Sequence, residues 1–231
     1  MKNPRVRQLA GPVEIAAALR AGEDVCLLLV QEDAAPRILE MLAGAMAELV
    51  VGDPARPETD VGPVIDADAK RALDAHVAQL RSRGRLIAHV PPGTASGHFV
   101  APVAFEIAIE DLPRREVFGP VLHVIRWRAD ELDRVLDAVA ATGYGLTLGI
   151  HSRIERCVER VRARLRVGNT YVNRNMIGAV VGVQPFGGEG LSGTGPKAGG
   201  PHYLPRFAVE RTVTVNTAAA GGNAALLAQA G

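Results

Sequence analysis

The run VCLLLV, Val25 to Val30, sets how the rest of the chain is read. Asp24 precedes it, and its Leu and Val residues suit a buried strand. Six residues are too few for periodicity alone to separate strand from helix. The segments after it supply the context. Asp33 can cap a helix, and Pro36 suits a first turn, where a missing N–H is no loss. Ile38, Leu42, Ala45 and Leu49 then recur at helical spacing, and Gly52 stops the helix. A connector rich in proline and acid, GDPARPETDVGPV, leads to Asp66, which starts a second helix with the stripe Leu73, Val77 and Leu80, ended by Gly84. Residues 85–90 (RLIAHV) and 99–107 (FVAPVAFEI) read as strands, joined by the turn-rich link 91–98. Strand alternating with helix is the mark of an α/β sheet.

The same alternation continues. Residues 121–127 (VLHVIRW) read as a strand. Asp130 can cap a helix with the inner face Leu132, Val135, Leu136 and Val139, turning at Gly143. Ser152 and Glu155 have the spacing of a capping box ahead of Ile154, Val158 and Val161. Residues 168–172 (GNTYV) read as a strand, followed by a glycine-rich loop over 178–200. Residues 209–215 (VERTVTV) alternate as a last strand, and 218–231 read as a tail rich in Ala and Gly. Near the start, Val13 to Leu19 can form a short helix.

Bulk properties narrow the function. The chain has 231 residues, 48% hydrophobic and 22% charged, with net charge +1, which is ordinary soluble composition without a nucleic-acid footprint. No run of eighteen apolar residues marks a membrane span, and the basic start lacks the apolar stretch of a secretory signal. Two cysteines, Cys26 and Cys157, do not make a disulfide scaffold, so a reducing, cytoplasmic setting is expected. His76, His89, His98, His123 and His202 show no metal-ligand spacing, and no metal site is expected. No G-x-G-x-x-G opens a βαβ unit. The glycines of 187–190 and 192–195 are a weak phosphate signal.

Three segments carry a family resemblance. Glu116-Val117-Phe118-Gly119-Pro120 resembles the E-x-F-G-P signature of the aldehyde dehydrogenase superfamily. Pro185-Phe186-Gly187-Gly188 resembles its P-F-G-G segment, and Asn169 its glycine–asparagine strand start. The longer stretch 172–200 resembles L-glutamate γ-semialdehyde (1-pyrroline-5-carboxylate) dehydrogenase, in the form fused to proline dehydrogenase in bacterial proline-utilisation proteins. The resemblance covers roughly residues 27 to 228. It implies an α/β fold, an open twisted sheet with flanking helices plus a C-terminal β-flap, and NAD-dependent oxidation of glutamate γ-semialdehyde to glutamate. In that chemistry a cysteine thiolate attacks the aldehyde, hydride passes to NAD, and water releases the acid.

Roles follow by resemblance, each beside a plainer reading. Glu116 would hold the nicotinamide ribose hydroxyls and Phe118 would pack beside the nicotinamide; otherwise they are a solvated carboxylate before a buried ring. Gly178 and Ala179 would offer backbone N–H groups to the substrate α-carboxylate; otherwise they belong to a loop without a ligand. Phe186 would wall the aliphatic part of the aldehyde; otherwise it is core. Arg174 and Lys197 read as solvated cations.

The nucleophile is the exception. By the family pattern the cysteine falls at Gly22, within Ala21-Gly22-Glu23-Asp24. Cys26 lies four places later inside the apolar run, where a thiol is inert and hard to ionise. The sequence thus divides into a divergent segment (1–26), a partial catalytic domain (27–200), an oligomerisation flap strand (201–217) and a tail (218–231). A truncated or frameshifted product, inactive alone, is the expectation. The alternatives are a non-catalytic module closing a substrate tunnel, or the C-terminal half of a split dehydrogenase. Partners expected are a second copy through residues 209–215, or a complementary N-terminal half.

Overall fold

The computed structural model describes residues 27–91, 93, 96–176, 182–193, 195–216 and 228. The readings made on Val13 to Leu19, Gly22, Cys26, Gly178 and Ala179, and nearly all of the tail, lie outside these residues.

The apolar run does enter a sheet, as β1 (Leu27–Gln31). Beside it come β2 (Arg85–His89), β3 (Val103–Glu106) and β4 (Val121–Trp127), in the order β1-β4-β3-β2. β4 is parallel to both β1 and β3, while β2 is antiparallel to β3. The expected strand over 99–107 contracts to β3. Pro102 has no N–H to give, but its carbonyl accepts from Val90 N–H at 2.9 Å.

Alternate residues of β4 feed two cores. Leu122 and Val124 pack with Leu39, Leu42 and Met46 of α1 (Ala35–Ala47). Val121 and Ile125 pack with Leu73 and Leu80 of α2 (Ala67–Arg83), together with Val103 and Phe105 of β3. The sheet is therefore covered on both faces, the arrangement in which a parallel pair is stable. Each fully buried Leu, Val or Phe in these clusters contributes about 1.5–3 kcal/mol.

Helix ends correct several expectations. Asp66 caps α2 as read, its carboxylate accepting from Ala69 N–H at 2.7 Å, and Gly84 ends it. Asp33 does not cap α1. The N-cap is Ala34, and the Asp33 carboxylate meets the Gln31 amide at 3.5 Å. The buried stripe of α1 is Ala35, Leu39, Leu42 and Met46, one position on from Ile38 and Ala45, because a broad apolar face admits either phase.

A second layer holds α3 (Leu132–Ala140), α4 (Glu155–Arg164) and the parallel pair β6 (Thr147–Ile150) and β7 (Asn169–Val172). Leu136, Ile150, Val161 and Leu165 form its core. Asp130 does not cap α3, whose N-cap is Glu131. Asp130 instead pairs with Arg128 at 3.2 Å. The capping box at Ser152 does not form either: Ser152 Oγ accepts from Ile154 N–H at 3.1 Å, and Ile154 is the N-cap of α4. Gly143 supplies the turn after α3 with φ +78°, a left-handed value that favours glycine.

Residues 209–215 pair with no strand among the described residues. Val209, Val213 and Val215 are 91%, 70% and 70% exposed. Alternation alone does not make a strand, because the backbone donors and acceptors need a neighbour. Among the described residues no helix is long and apolar enough to cross a membrane.

Candidate functional site

The E-x-F-G-P segment sits where the chain enters β4. Gly119 lies against α2, and a Cβ there would come within 2.5 Å of Leu73. The Gly119 carbonyl accepts from Val121 N–H at 2.7 Å, and the Pro120 carbonyl from Val103 N–H at 3.0 Å, so the loop is pinned to the sheet. This leaves Glu116 exposed and Phe118 74% exposed. Phe118 is thus not the buried ring of the plainer reading.

Tyr144 joins this loop to the glycine-rich segment. Its hydroxyl accepts from Glu116 N–H at 3.2 Å. Tyr144 opens β5 (Tyr144–Gly145), which pairs antiparallel with β8 (Glu189–Gly190), directly after Pro185 to Gly188. Gly145 N–H donates to Ser192 Oγ at 3.0 Å. The two signature segments are therefore held by one small hub.

Asn169 organises the second segment from beneath. It is buried, at the start of β7. Its Nδ2 donates to the Pro185 carbonyl at 3.0 Å, while its Oδ1 accepts from Gly187 N–H at 3.2 Å and from Lys197 Nζ at 3.4 Å. Lys197 Nζ also donates to the Gly168 carbonyl. Gly168 packs so closely on Gly187 that any side chain would strike the Gly187 carbonyl. Phe186 is clamped above by two hydrogen bonds with Ala198, at 3.0 and 2.9 Å, and its ring remains 40% exposed.

The solvated reading of Lys197 is corrected by this geometry. Its ammonium is partly buried and fastens the loop to the strand. Arg174 does lie outside, its guanidinium 5.0 Å above the Tyr171 ring and its Nε donating to the Asn175 carbonyl. Tyr144 and Ser192 went unread in the sequence, since a lone Tyr before Gly and a Ser in a glycine-rich run carry no spacing signal. Asn169 was visible as a strand start, but its side-chain role was not.

Cys157 is the free cysteine among the described residues. It packs on the α3–α4 core beside Val158, away from this rim. No cluster of three His, Cys, Asp or Glu side chains that could hold a metal occurs among the described residues.

A sheet covered on both faces and two signature loops joined at one exposed rim define an aldehyde dehydrogenase core. Residues 22–213 match the aldehyde dehydrogenase family, and the chain belongs to it. It is similar to the bifunctional protein PutA of Klebsiella aerogenes, 50% identical over 192 residues, which are 80% of this chain and 15% of that protein. It is also similar to 1-pyrroline-5-carboxylate dehydrogenase of Geobacillus kaustophilus, 36% identical over 188 residues, covering 80% of this chain and 36% of the relative. Among solved structures, a Bradyrhizobium japonicum Proline Utilization A variant superposes with TM-score 0.82 at 57% identity, covering 91% of this chain and 22% of that one. A Thermus thermophilus 1-pyrroline-5-carboxylate dehydrogenase variant gives 0.72 at 34% identity, covering 85% and 38%. The chain thus spans a minor part of each relative's length.

Proposed function

We propose that this chain carries the substrate-facing part of an NAD-dependent L-glutamate γ-semialdehyde dehydrogenase of proline degradation, acting in the cytoplasm. The observation that carries the reading is the hub at Tyr144, which ties the Glu116–Pro120 loop to the Pro185–Gly188 loop and leaves Phe118 and Phe186 exposed on them. The name of two relatives, 1-pyrroline-5-carboxylate dehydrogenase, supports the same reading.

The residues present suit the nicotinamide end of NAD. Glu116 offers an exposed carboxylate that can accept from two ribose hydroxyls, and Phe118 offers an uncovered ring face beside it. The described residues contain no strand–glycine–helix turn that would cradle a pyrophosphate. When bound, NAD supplies the hydride acceptor. The chain's own part is to bind and exclude water: Phe186 walls the aliphatic chain of the aldehyde, and Gly178 and Ala179 are assigned to the α-carboxylate on the family resemblance of the sequence alone.

Gly22 stands at the position expected for the nucleophile, so the 231-residue chain alone does not oxidise the aldehyde. The exposed apolar side chains of Phe118, Leu191, Leu204 and Phe207 favour a second component that covers them, as in a split dehydrogenase. Residues 209–215 would find their strand neighbour in a second copy.

The test is NADH formation from glutamate γ-semialdehyde, measured with the purified chain alone and with a separately expressed PutA segment that ends after the nucleophilic cysteine. No turnover alone, turnover on mixing, and its loss with Glu116→Ala support the reading. Turnover by the chain alone, abolished by Cys26→Ala, overturns it.

A further inference from the structure

The groove between α1 and β2 takes no part in the rim described above. It has a volume of about 440 Å³ and is lined by Pro36, Glu40 and Ala43 of α1, facing Arg85 and Ile87 of β2 and Arg126 of β4. Positions 36, 40 and 43 fall on one stripe of a helix, so the carboxylate of Glu40 stands between two small apolar surfaces.

The opposite wall is cationic for a reason set by strand register. Arg85 lies directly across from Glu106, and Glu106 lies beside β4, which brings in Arg126. Both guanidiniums bond the same oxygen of Glu106, Arg126 at 3.0 Å. One carboxylate facing two guanidiniums leaves a net positive charge on this wall. The Arg126 side chain is only 31% exposed, and its Nε is buried without a hydrogen-bond partner. Glu106 therefore satisfies Arg126 incompletely.

We propose that this groove binds a small zwitterionic α-amino acid with an apolar side chain. Its carboxylate faces Arg85 and Arg126, its ammonium faces Glu40, and its side chain lies against Pro36, Ala43 and Ile87. The charges select the class: Glu40 repels a simple anion, and the arginine pair repels a simple cation. The volume lies at the lower end of small-molecule sites, room for one amino acid. This inference stands apart from the dehydrogenase reading and is tested without activity.

The experiment is an amide chemical-shift titration of the 231-residue chain with L-leucine as probe, beside isovalerate, which lacks the ammonium, and isoamylamine, which lacks the carboxylate. The expected result is saturable shifts at Glu40, Ile87 and Arg126 with leucine, and binding about tenfold weaker with either half-charged analogue. Glu40→Gln, on an exposed helix face and safe for folding, should weaken leucine about tenfold and leave isovalerate no weaker. Absence of saturable shifts with leucine, or isovalerate or isoamylamine binding as tightly as leucine, overturns the proposal. A Glu40→Gln protein that binds leucine unchanged overturns it as well.

Discussion

His76 on α2 and His123 on β4 meet with their Nε2 atoms 2.8 Å apart, their rings edge to face at 5.1 Å between centroids. The contact lies on the face of the sheet where α2 packs on Val121 and Ile125. One Nε2 must accept for the bond to exist, so two protonated rings cannot keep it.

Burial pushes the His76 imidazole below its ordinary value of 6.5. The folded chain therefore binds this proton less readily than the unfolded chain. The stability it contributes is fully present above 6.5 and is lost as the pH falls through the lower folded value. Melting followed by circular dichroism should show Tm level at neutral pH and falling in mild acid. His76→Gln, which keeps a hydrogen-bonding side chain without titrating, should flatten that slope. An unchanged slope would remove His76 as its source.

Core and rim should respond in opposite ways to truncation. Leu42 and Leu122 are fully buried, and Leu42→Ala or Leu122→Ala should each cost about 2–5 kcal/mol in urea unfolding. Phe118, although larger, is exposed, and Phe118→Ala should change stability by less than about 0.5 kcal/mol. A large loss at Phe118 would show that its ring is a core element.

Lys197 fastens the Pro185–Gly188 loop through the Gly168 carbonyl and Asn169. Lys197→Met keeps the aliphatic stem and removes the donors. Hydrogen exchange at the Phe186 and Gly187 amides should quicken about tenfold, a local loss of about 1–2 kcal/mol, while the amides of β4 keep their protection. Equal protection of the loop in the variant would mean that Asn169 and the Ala198 hydrogen bonds hold it without Lys197.

Gly168→Ala tests the same junction from the backbone. The added methyl has no room beside the Gly187 carbonyl, so the loop must leave β7. The expected outcome is lost protection over residues 185–188, with urea unfolding of the β1–β4 sheet little changed.

Periodicity and turn chemistry in the sequence determined the larger sheet. β4 was legible at its full length, and Asp66 and Gly84 bounded α2 as read, because a cap and a glycine stop act within one turn of chain. The signature segments were legible too, since Glu116 to Pro120 and Pro185 to Gly188 are contiguous strings. Only the tertiary structure decided which polar groups serve which ends. Asp33, Asp130 and Ser152 sit at capping distance in sequence, yet each takes a different bond, because Gln31, Arg128 and the Ile154 N–H lie nearer in the fold. The ties Tyr144 to Glu116, Lys197 to Gly168 and His76 to His123 join residues far apart along the chain, and residues 209–215 have no strand neighbour among the described residues. Local sequence sets backbone preference over a few residues; a hydrogen bond or a strand edge needs a partner, and chain packing chooses it.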